Sequence, residues 1–112
     1  MTVLTARIEA HATERRELAQ ALLAWATAAR EETGARSCHL YEDVESPAVF
    51  YLVSRWESRQ AFDAHVAGCK FGNILGALDL LALPHHVAVT EMADLDGSAA
   101  LRALRRLRDQ TR

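Results

Sequence analysis

The sequence predicts a single α+β domain built on one antiparallel β-sheet. Two observations predict it. Stretches with the two-residue period of half-buried strands alternate with stretches of helical period, and together they follow the order β-α-β-β-α-β, with a further helical stretch at the C-terminus. A chain of 112 residues, half of them apolar and a quarter charged, fits one globular domain.

The first two elements are a strand and a helix. Residues 2–9 alternate apolar and polar side chains, as a half-buried strand does. From Thr13, a residue able to cap a helix, the period becomes helical, and Gly34 is expected to end that helix. The apolar face of this first helix consists of Leu18, Leu22, Trp25, Ala26 and Ala29.

The next two elements form a predicted hairpin. Residues 36–42 alternate again, and turn chemistry follows around Ser46 and Pro47. Residues 49–56 are the most β-prone stretch of the chain. Their length and aromatic content predict a central strand that is buried on both faces.

The second half of the chain is expected to return to a helix and then to a strand. Ser58 is a good N-cap, and Gly68 loosens the chain before a further helical turn. Pro84 stops this region, and residues 85–92 alternate as strand four. One face of this helix is expected to carry Phe62, His65 and Val66, and the further helical turn runs through Phe71, Ile74, Leu75 and Leu78.

This order is that of the ferredoxin-like fold, an antiparallel sheet with both main helices on one face. The other face, on which strand three in particular carries apolar residues, then lacks a cover within the chain. A second copy packed face to face about a two-fold axis is the simplest cover, so we expect a homodimer.

The last part of the chain is expected to be a helical extension. Residues 94–97 form a polar break, which divides the chain into a domain at 1–93 and an extension at 94–112. Ser98 can cap a helix with a narrow stripe of leucines and several arginines. Such a helix is marginal in isolation, so it either docks on its own dimer, which we favour, or frays. It is too short and too lightly apolar to indicate membrane or nucleic-acid contact.

Composition excludes several classes of function. The chain has 13 basic and 15 acidic residues and a formal net charge of −2. It therefore has no overall positive potential that would attract nucleic acid or an anionic membrane. Cys38 and Cys69 lie far apart and outside metal-binding spacings, which favours reduced thiols in a cytoplasmic protein. No apolar run approaches the roughly 20 residues that span a bilayer, and no secretory signal pattern opens the chain.

A resemblance to a known family begins where strand three passes into the next helix. The residues that carry it are Arg55, Trp56, Glu57 and Ser58, followed by Ala61, Phe62 and then His65. In this order they resemble the antibiotic biosynthesis monooxygenase family of dimeric α+β barrels. The segment 34–38 also resembles that family's entry into strand two, and the resemblance covers roughly residues 2–93.

The resemblance implies a reaction class rather than a substrate. Members oxidise electron-rich phenols, quinols or polyketide anthrones with molecular oxygen, without a metal or flavin, in a pocket between sheet and helices. It therefore implies a homodimeric, cofactor-independent monooxygenase that acts on a small quinol, phenol or related aromatic. The alternative is a non-catalytic ligand-binding or dimerisation module of the same fold.

Two residues are candidates for the chemistry. Trp56 shares a strand face with Phe50 and Leu52, where its ring either stacks on a planar substrate or plugs the core. His65 shares a helix face with Phe62 and could accept a phenolic proton near neutral pH. The alternative for His65 is a structural histidine that bonds a backbone carbonyl at the junction of helix and sheet.

The expected substrate pocket involves further residues. They are Phe50, Leu52, Phe62, Phe71, Leu75, His39, Tyr41 and His86. The four phenylalanine and leucine positions 50, 52, 62 and 71 could either fill the pocket or line it. His39 and Tyr41 share a strand face, and alternation alone leaves the pocket and the dimer interface equally open.

No metal site is expected. His85 and His86 are adjacent on a strand, so their side chains point to opposite faces and cannot chelate one ion. His86 alone could reach the mouth of the pocket.

Departures from the family pattern narrow the reaction. Ala6, His65 and Leu75 stand where the haem-degrading branch carries its Asn, Trp and His, which argues against haem degradation. Leu52 and Phe62 stand where the anthrone-oxidising members carry an Asn and a Tyr. A quinol-oxidising pattern, or a pocket without catalysis, is the better analogy.

Overall fold

The structure, a computed structural model, describes residues 1–84, 86–91, 102, 105 and 106. Its elements are β1 (Thr2–Glu9), α1 (Arg15–Ala29), β2 (Ala35–Glu42), β3 (Val49–Trp56), α2 (Arg59–Ala67), α3 (Cys69–Leu81) and β4 (His86–Glu91). The predicted α+β, ferredoxin-like order is confirmed. The extension at 94–112 lies outside the described residues, except that Arg102, Arg105 and Arg106 are helical and exposed.

The sheet is antiparallel throughout, with the strand order β2-β3-β1-β4. The central place of β3 is therefore confirmed. Its side chains alternate, however, with Phe50, Leu52, Ser54 and Trp56 buried against the helices. The prediction that both faces of β3 are buried is wrong within one chain, because Tyr51, Val53 and Arg55 on the other face are only partly buried.

The ends of α1 differ from those expected. Glu14 is the N-cap residue and makes no capping hydrogen bond, while the Thr13 hydroxyl contacts only the Glu14 carboxylate. The helix ends at Ala29 rather than at Gly34, because the backbone N–H groups of Glu31 and Glu32 donate only three residues back, to the carbonyls of Ala28 and Ala29, and no longer continue the α-helical pattern. Gly34 instead turns the chain into β2 with a φ of +83°.

The region between β3 and β4 holds two helices. Ser58 caps α2 as predicted, since its Oγ accepts the Ala61 N–H at 3.1 Å. Gly68 then adopts an extended conformation with ψ of 161°, which interrupts the helical hydrogen bonds. The expected further turn is the full helix α3, which packs against α1.

The core lies between the helix-facing side of the sheet and α1, α2 and α3. Its fully buried large side chains include Trp56, Phe50, Ile8, Leu18 and Leu22. Within residues 1–84 and 86–91, none of the helices has the length and apolar character needed to cross a bilayer.

Candidate active site

A cluster of aromatic rings surrounds His65 on α2. The imidazole, only 3% exposed, stacks on Trp56 with ring centroids 4.5 Å apart and planes at 26°. Trp25 of α1 lies 5.3 Å away, and Phe71 of α3 meets the imidazole edge-on at 5.4 Å. Three helices and β3 therefore fix this histidine in a largely apolar surrounding.

The imidazole has one polar partner. Its Nδ1 contacts the carboxylate of Glu32, which lies in the link between α1 and β2 and is 22% exposed. Because an ionised carboxylate only accepts hydrogen bonds, Nδ1 carries the hydrogen in this contact. In the neutral imidazole, Nε2 is then the nitrogen with a free lone pair, the form that a general base requires.

Two buried polar atoms in this cluster have no partner. Among side chains of the described residues, the buried polar atoms without a hydrogen bond are Trp25 Nε1, Ser37 Oγ and His65 Nε2. Buried polar groups are nearly always paired, and an unpaired one costs about 1–3 kcal/mol. Trp56, by contrast, donates its Nε1 hydrogen to Ser54 Oγ at 3.1 Å.

An apolar cavity lies beside the cluster, between the sheet and helices α1 and α3. It has about 420 Å³ of empty space including its open mouth. Its lining residues are Leu4, Ala6, Ile8, Leu22, Trp25, Leu52, Phe71, Ile74, Leu75, Leu78 and Val87. Trp25 and Phe71 thus border both the cavity and His65, so their two rings separate the imidazole from the empty space.

A second cleft reaches the hydrogen-bonded pair of Glu32 and His65 from the surface. Its lining residues are Glu31, Glu32, Thr33, Trp56, Ala61, Ala64 and His65. The pair of Glu32 and His65 is therefore bordered by solvent on this side. The apolar cavity, in contrast, is the space that suits a flat aromatic ring.

Comparison with known proteins decides the family. The sequence profile described as antibiotic biosynthesis monooxygenase matches residues 1–76, more than half of the chain. The chain belongs to the antibiotic biosynthesis monooxygenase family. No curated protein matches the chain at a significant level.

Solved structures of similar proteins share the fold of this family member. The Mycobacterium tuberculosis protein Rv0793 is 31% identical, with a TM-score of 0.75, over 87% of this chain and 97% of that one. A Deinococcus radiodurans protein with the same family name is 23% identical, with a TM-score of 0.82 and the same coverage of both chains. A possible oxidoreductase from Bacteroides thetaiotaomicron is 19% identical, with a TM-score of 0.76, over 81% of this chain and 96% of that one.

The structure brings only some of the predicted site residues of this family member to the cavity. Leu52, Phe71 and Leu75 line it, and His65 lies directly behind Phe71. Phe50 and Phe62 fill the core instead. Phe50 lies beneath the Arg15 guanidinium at 5.2 Å, and Phe62 meets Trp56 edge-on at 6.5 Å. Trp56 has no accessible surface, so its ring contacts His65 and is not open to a substrate.

Three predicted pocket residues do not reach the cavity within one chain. His39 and Tyr41 pair with Val53 and Tyr51, which lie on the face of β3 away from the helices. His86 pairs with Arg7 and lies on that same face, while its neighbour Val87 lines the cavity. His85 is outside the described residues, and no cluster of metal-ligating side chains occurs in the part of the chain that the structure describes.

Two residues of the site were not singled out from the sequence. Trp25 was expected only as part of the apolar face of α1, and Glu32 was not considered. The pairing of β2 with β3 is the observation that could have indicated Glu32. Ala35 pairs with Trp56, so residues just before Ala35 must lie beside the start of α2, where His65 follows.

Neither cysteine provides a nucleophile at this site. Cys38 is fully buried, and desolvation by burial raises the pKa of its thiol to about 11. It is therefore a neutral thiol at physiological pH. Cys69 is exposed at the start of α3 and does not line either the cavity or the cleft.

Proposed function

We propose that the chain is a cofactor-independent monooxygenase that oxidises a small quinol, phenol or related aromatic with molecular oxygen. One observation carries this proposal. His65 Nε2 is buried, has no protein partner, and lies within an aromatic cluster at the border of an apolar cavity. Family membership supports the reaction class.

The chemistry begins with the removal of a proton. His65 Nε2 accepts the phenolic proton, and the negative charge of Glu32 stabilises the imidazolium that forms. The ionised ring is electron-rich enough to reduce oxygen. One oxygen atom enters the ring, the other leaves as water, and a quinol becomes a hydroxyquinone. The substrate supplies every electron, so the balance needs no external reductant.

The substrate reaches His65 from the apolar cavity. A flat ring binds between the sheet and α3. The Phe71 side chain then rotates aside, so that the hydroxyl of the substrate reaches His65 Nε2. Phe71 is only partly buried and lies near the start of α3, just after the break at Gly68. The surrounding apolar side chains keep bulk water from the reactive intermediate.

Trp56 acts in this proposal through His65. Its ring stacks on the imidazole, and its own N–H is held by Ser54. It thereby fixes the plane of the base. We name it a positioning residue rather than a stacking partner of the substrate.

The test is oxygen uptake by protein dialysed against a chelator and supplied with reduced naphthoquinol. We expect uptake above the spontaneous rate, and His65→Ala is expected to lower kcat by about 10²- to 10⁴-fold, the usual contribution of a general base. His11→Ala is the matched control, because His11 is exposed outside the site. Uptake that appears only when a metal is restored contradicts the cofactor-free mechanism.

The non-catalytic alternative has its own outcome. Binding of hydroxylated aromatics without oxygen uptake, across a panel of quinols and phenols, identifies a ligand-binding module. It would overturn the proposed activity while leaving the cavity as a binding site.

A further inference from the structure

We propose that the Trp25 indole N–H is the hydrogen-bond donor that holds the oxygen atom of an aromatic ligand in the apolar cavity. The inference rests on the proposed function for the class of ligand, a hydroxylated planar ring. It adds to it a binding residue on α1, which holds none of the motif residues between Arg55 and His65 that carry the family resemblance.

The first step is the state of the indole. Trp25 is 6% exposed, and its Nε1 hydrogen has no acceptor in the protein. An indole nitrogen is a donor only, so a neighbouring donor cannot satisfy it. A buried tryptophan usually finds a partner for this hydrogen, as Trp56 does with Ser54.

The second step is the place of the indole. Trp25 lines the apolar cavity, and the other lining side chains are hydrocarbon throughout. Among the residues that line this cavity, Trp25 is the one whose side chain carries a hydrogen-bond donor. An apolar pocket with a single directed polar group is the usual form of a site for a small aromatic molecule.

The third step joins Trp25 to His65. Their rings are 5.3 Å apart between centroids, and each carries an unpaired buried nitrogen. One nitrogen donates and the other accepts. A phenolic oxygen complements both, because it accepts from Trp25 and donates its own hydrogen to His65. After proton transfer, the phenolate oxygen accepts from Trp25 Nε1, which stabilises the negative charge where it develops.

The chemical consequence is a rule for the ligand. The oxygen of the ligand must accept a hydrogen bond from Trp25. Only the contact with His65 also requires that this oxygen carry a hydrogen to donate. An aromatic ether keeps the first contact and loses the second, and the bare hydrocarbon loses both. Three probes that share one ring system therefore separate the two residues: 2-naphthol, 2-methoxynaphthalene and naphthalene.

The experiment is anaerobic equilibrium dialysis of wild-type protein and Trp25→Phe with each probe. Without oxygen, binding is measured apart from turnover. We expect Trp25→Phe to weaken 2-naphthol and 2-methoxynaphthalene about 3- to 10-fold each, the range for one neutral hydrogen bond, and to change naphthalene by less than twofold. An equal loss for all three probes overturns the proposal, because Trp25 would then only shape the cavity. Loss for 2-naphthol alone, or no binding of any probe to wild-type protein, also overturns it.

A second measurement does not depend on the folding of a variant. The two indole N–H signals of the wild-type protein are followed in ¹H–¹⁵N spectra during titration. We expect the Trp25 signal to shift further downfield with 2-methoxynaphthalene than with naphthalene, while the Trp56 signal, already bonded to Ser54, shows no such difference. Equal shifts of the Trp25 signal with both probes would contradict the proposal.

The two proposals fail separately. Oxygen uptake that depends on His65, combined with no ether-specific loss in Trp25→Phe, removes the role of Trp25 alone. The expected binding pattern without any oxygen uptake removes the monooxygenase activity and retains Trp25 as a ligand-binding residue.

Discussion

Glu32 holds the base of the proposed reaction in one tautomer. Its carboxylate can only accept, so it selects the imidazole that carries a hydrogen on Nδ1 and leaves Nε2 free. A glutamine at the same place offers both an acceptor and a donor. It would therefore allow the opposite tautomer, in which Nε2 is protonated and cannot accept a proton.

We expect Glu32→Gln to lower kcat by about 10- to 100-fold, the loss of one hydrogen bond to a charged group, and to change KM much less. The ¹⁵N shifts of the His65 ring should at the same time show a mixture of tautomers. Glu31→Gln is the control, because it removes the adjacent, exposed carboxylate and leaves the imidazole contact intact. An unchanged tautomer together with a lowered kcat would contradict the positioning role.

At this scale, sequence reasoning proposed His65 and Leu52 as site residues and left two roles open for Trp56, a stacking partner of the substrate or a residue that fills the core. A strand-ending tryptophan looks the same in sequence whether its ring faces a ligand or a histidine. Only the packing shows that Ser54 accepts the hydrogen bond of the Trp56 indole and that His65 stacks on its ring. Trp25 was not recognised as a site residue from the sequence. Its helical spacing indicates that the side chain is buried, but spacing does not show that the indole N–H lacks a hydrogen-bond partner.

Among the elements, the link between α1 and β2 sets the site. Gly34 has a φ of +83°, and a Cβ built there would lie 2.5 Å from the Ala61 Cβ on α2. Its carbonyl also accepts the Glu57 N–H at 2.9 Å, which ties the link to the end of β3. The close approach of this link to α2 is what brings Glu32 to His65.

We expect Gly34→Ala to lower the free energy of unfolding by about 1–3 kcal/mol from backbone strain, and to weaken the contact between Glu32 and His65. Gly76→Ala is the matched control. It lies inside α3 with no neighbouring atom within 4 Å of an added Cβ, so it should raise stability by about 0.5–1 kcal/mol. Urea unfolding of both variants measures the difference. A loss in Gly76→Ala as large as that in Gly34→Ala would contradict the argument.

The elements themselves were largely predictable, since alternation defined β1, β2 and β3 to within a residue of their observed bounds. The helix ends were less so. Thr13 precedes α1 without capping it, because a cap depends on the local chain direction and not on residue type alone. Gly68 was expected to loosen one helix and instead separates two, which lets α3 pack over α1 and close the cavity.

At the scale of the whole molecule, one face of the sheet has no cover among the described elements. Partly buried Tyr51 and Val53 lie there beside Val3, which is buried, with charged or polar Arg7, His39 and Arg55 around them. The sequence predicted a more apolar surface than this, because alternation does not show which polar residues flank the central strand.

We expect this face to join two copies in a homodimer, because a sheet is stable when both of its faces are packed and a chain of this size with an internal cavity has little core to spare. Val53 lies on β3 between Thr5 and His39, near the centre of the face. In a two-fold interface a charge at this position is buried beside its own copy, so Val53→Arg should dissociate the dimer. Leu80→Arg adds the same charge at a side chain that is already exposed on α3, and should leave the dimer intact.

Sedimentation at about 10 μM measures the mass, with twice 12.4 kDa expected for the wild-type protein and for Leu80→Arg, and a single chain for Val53→Arg. A wild-type protein that sediments as a single chain would contradict the face-to-face arrangement.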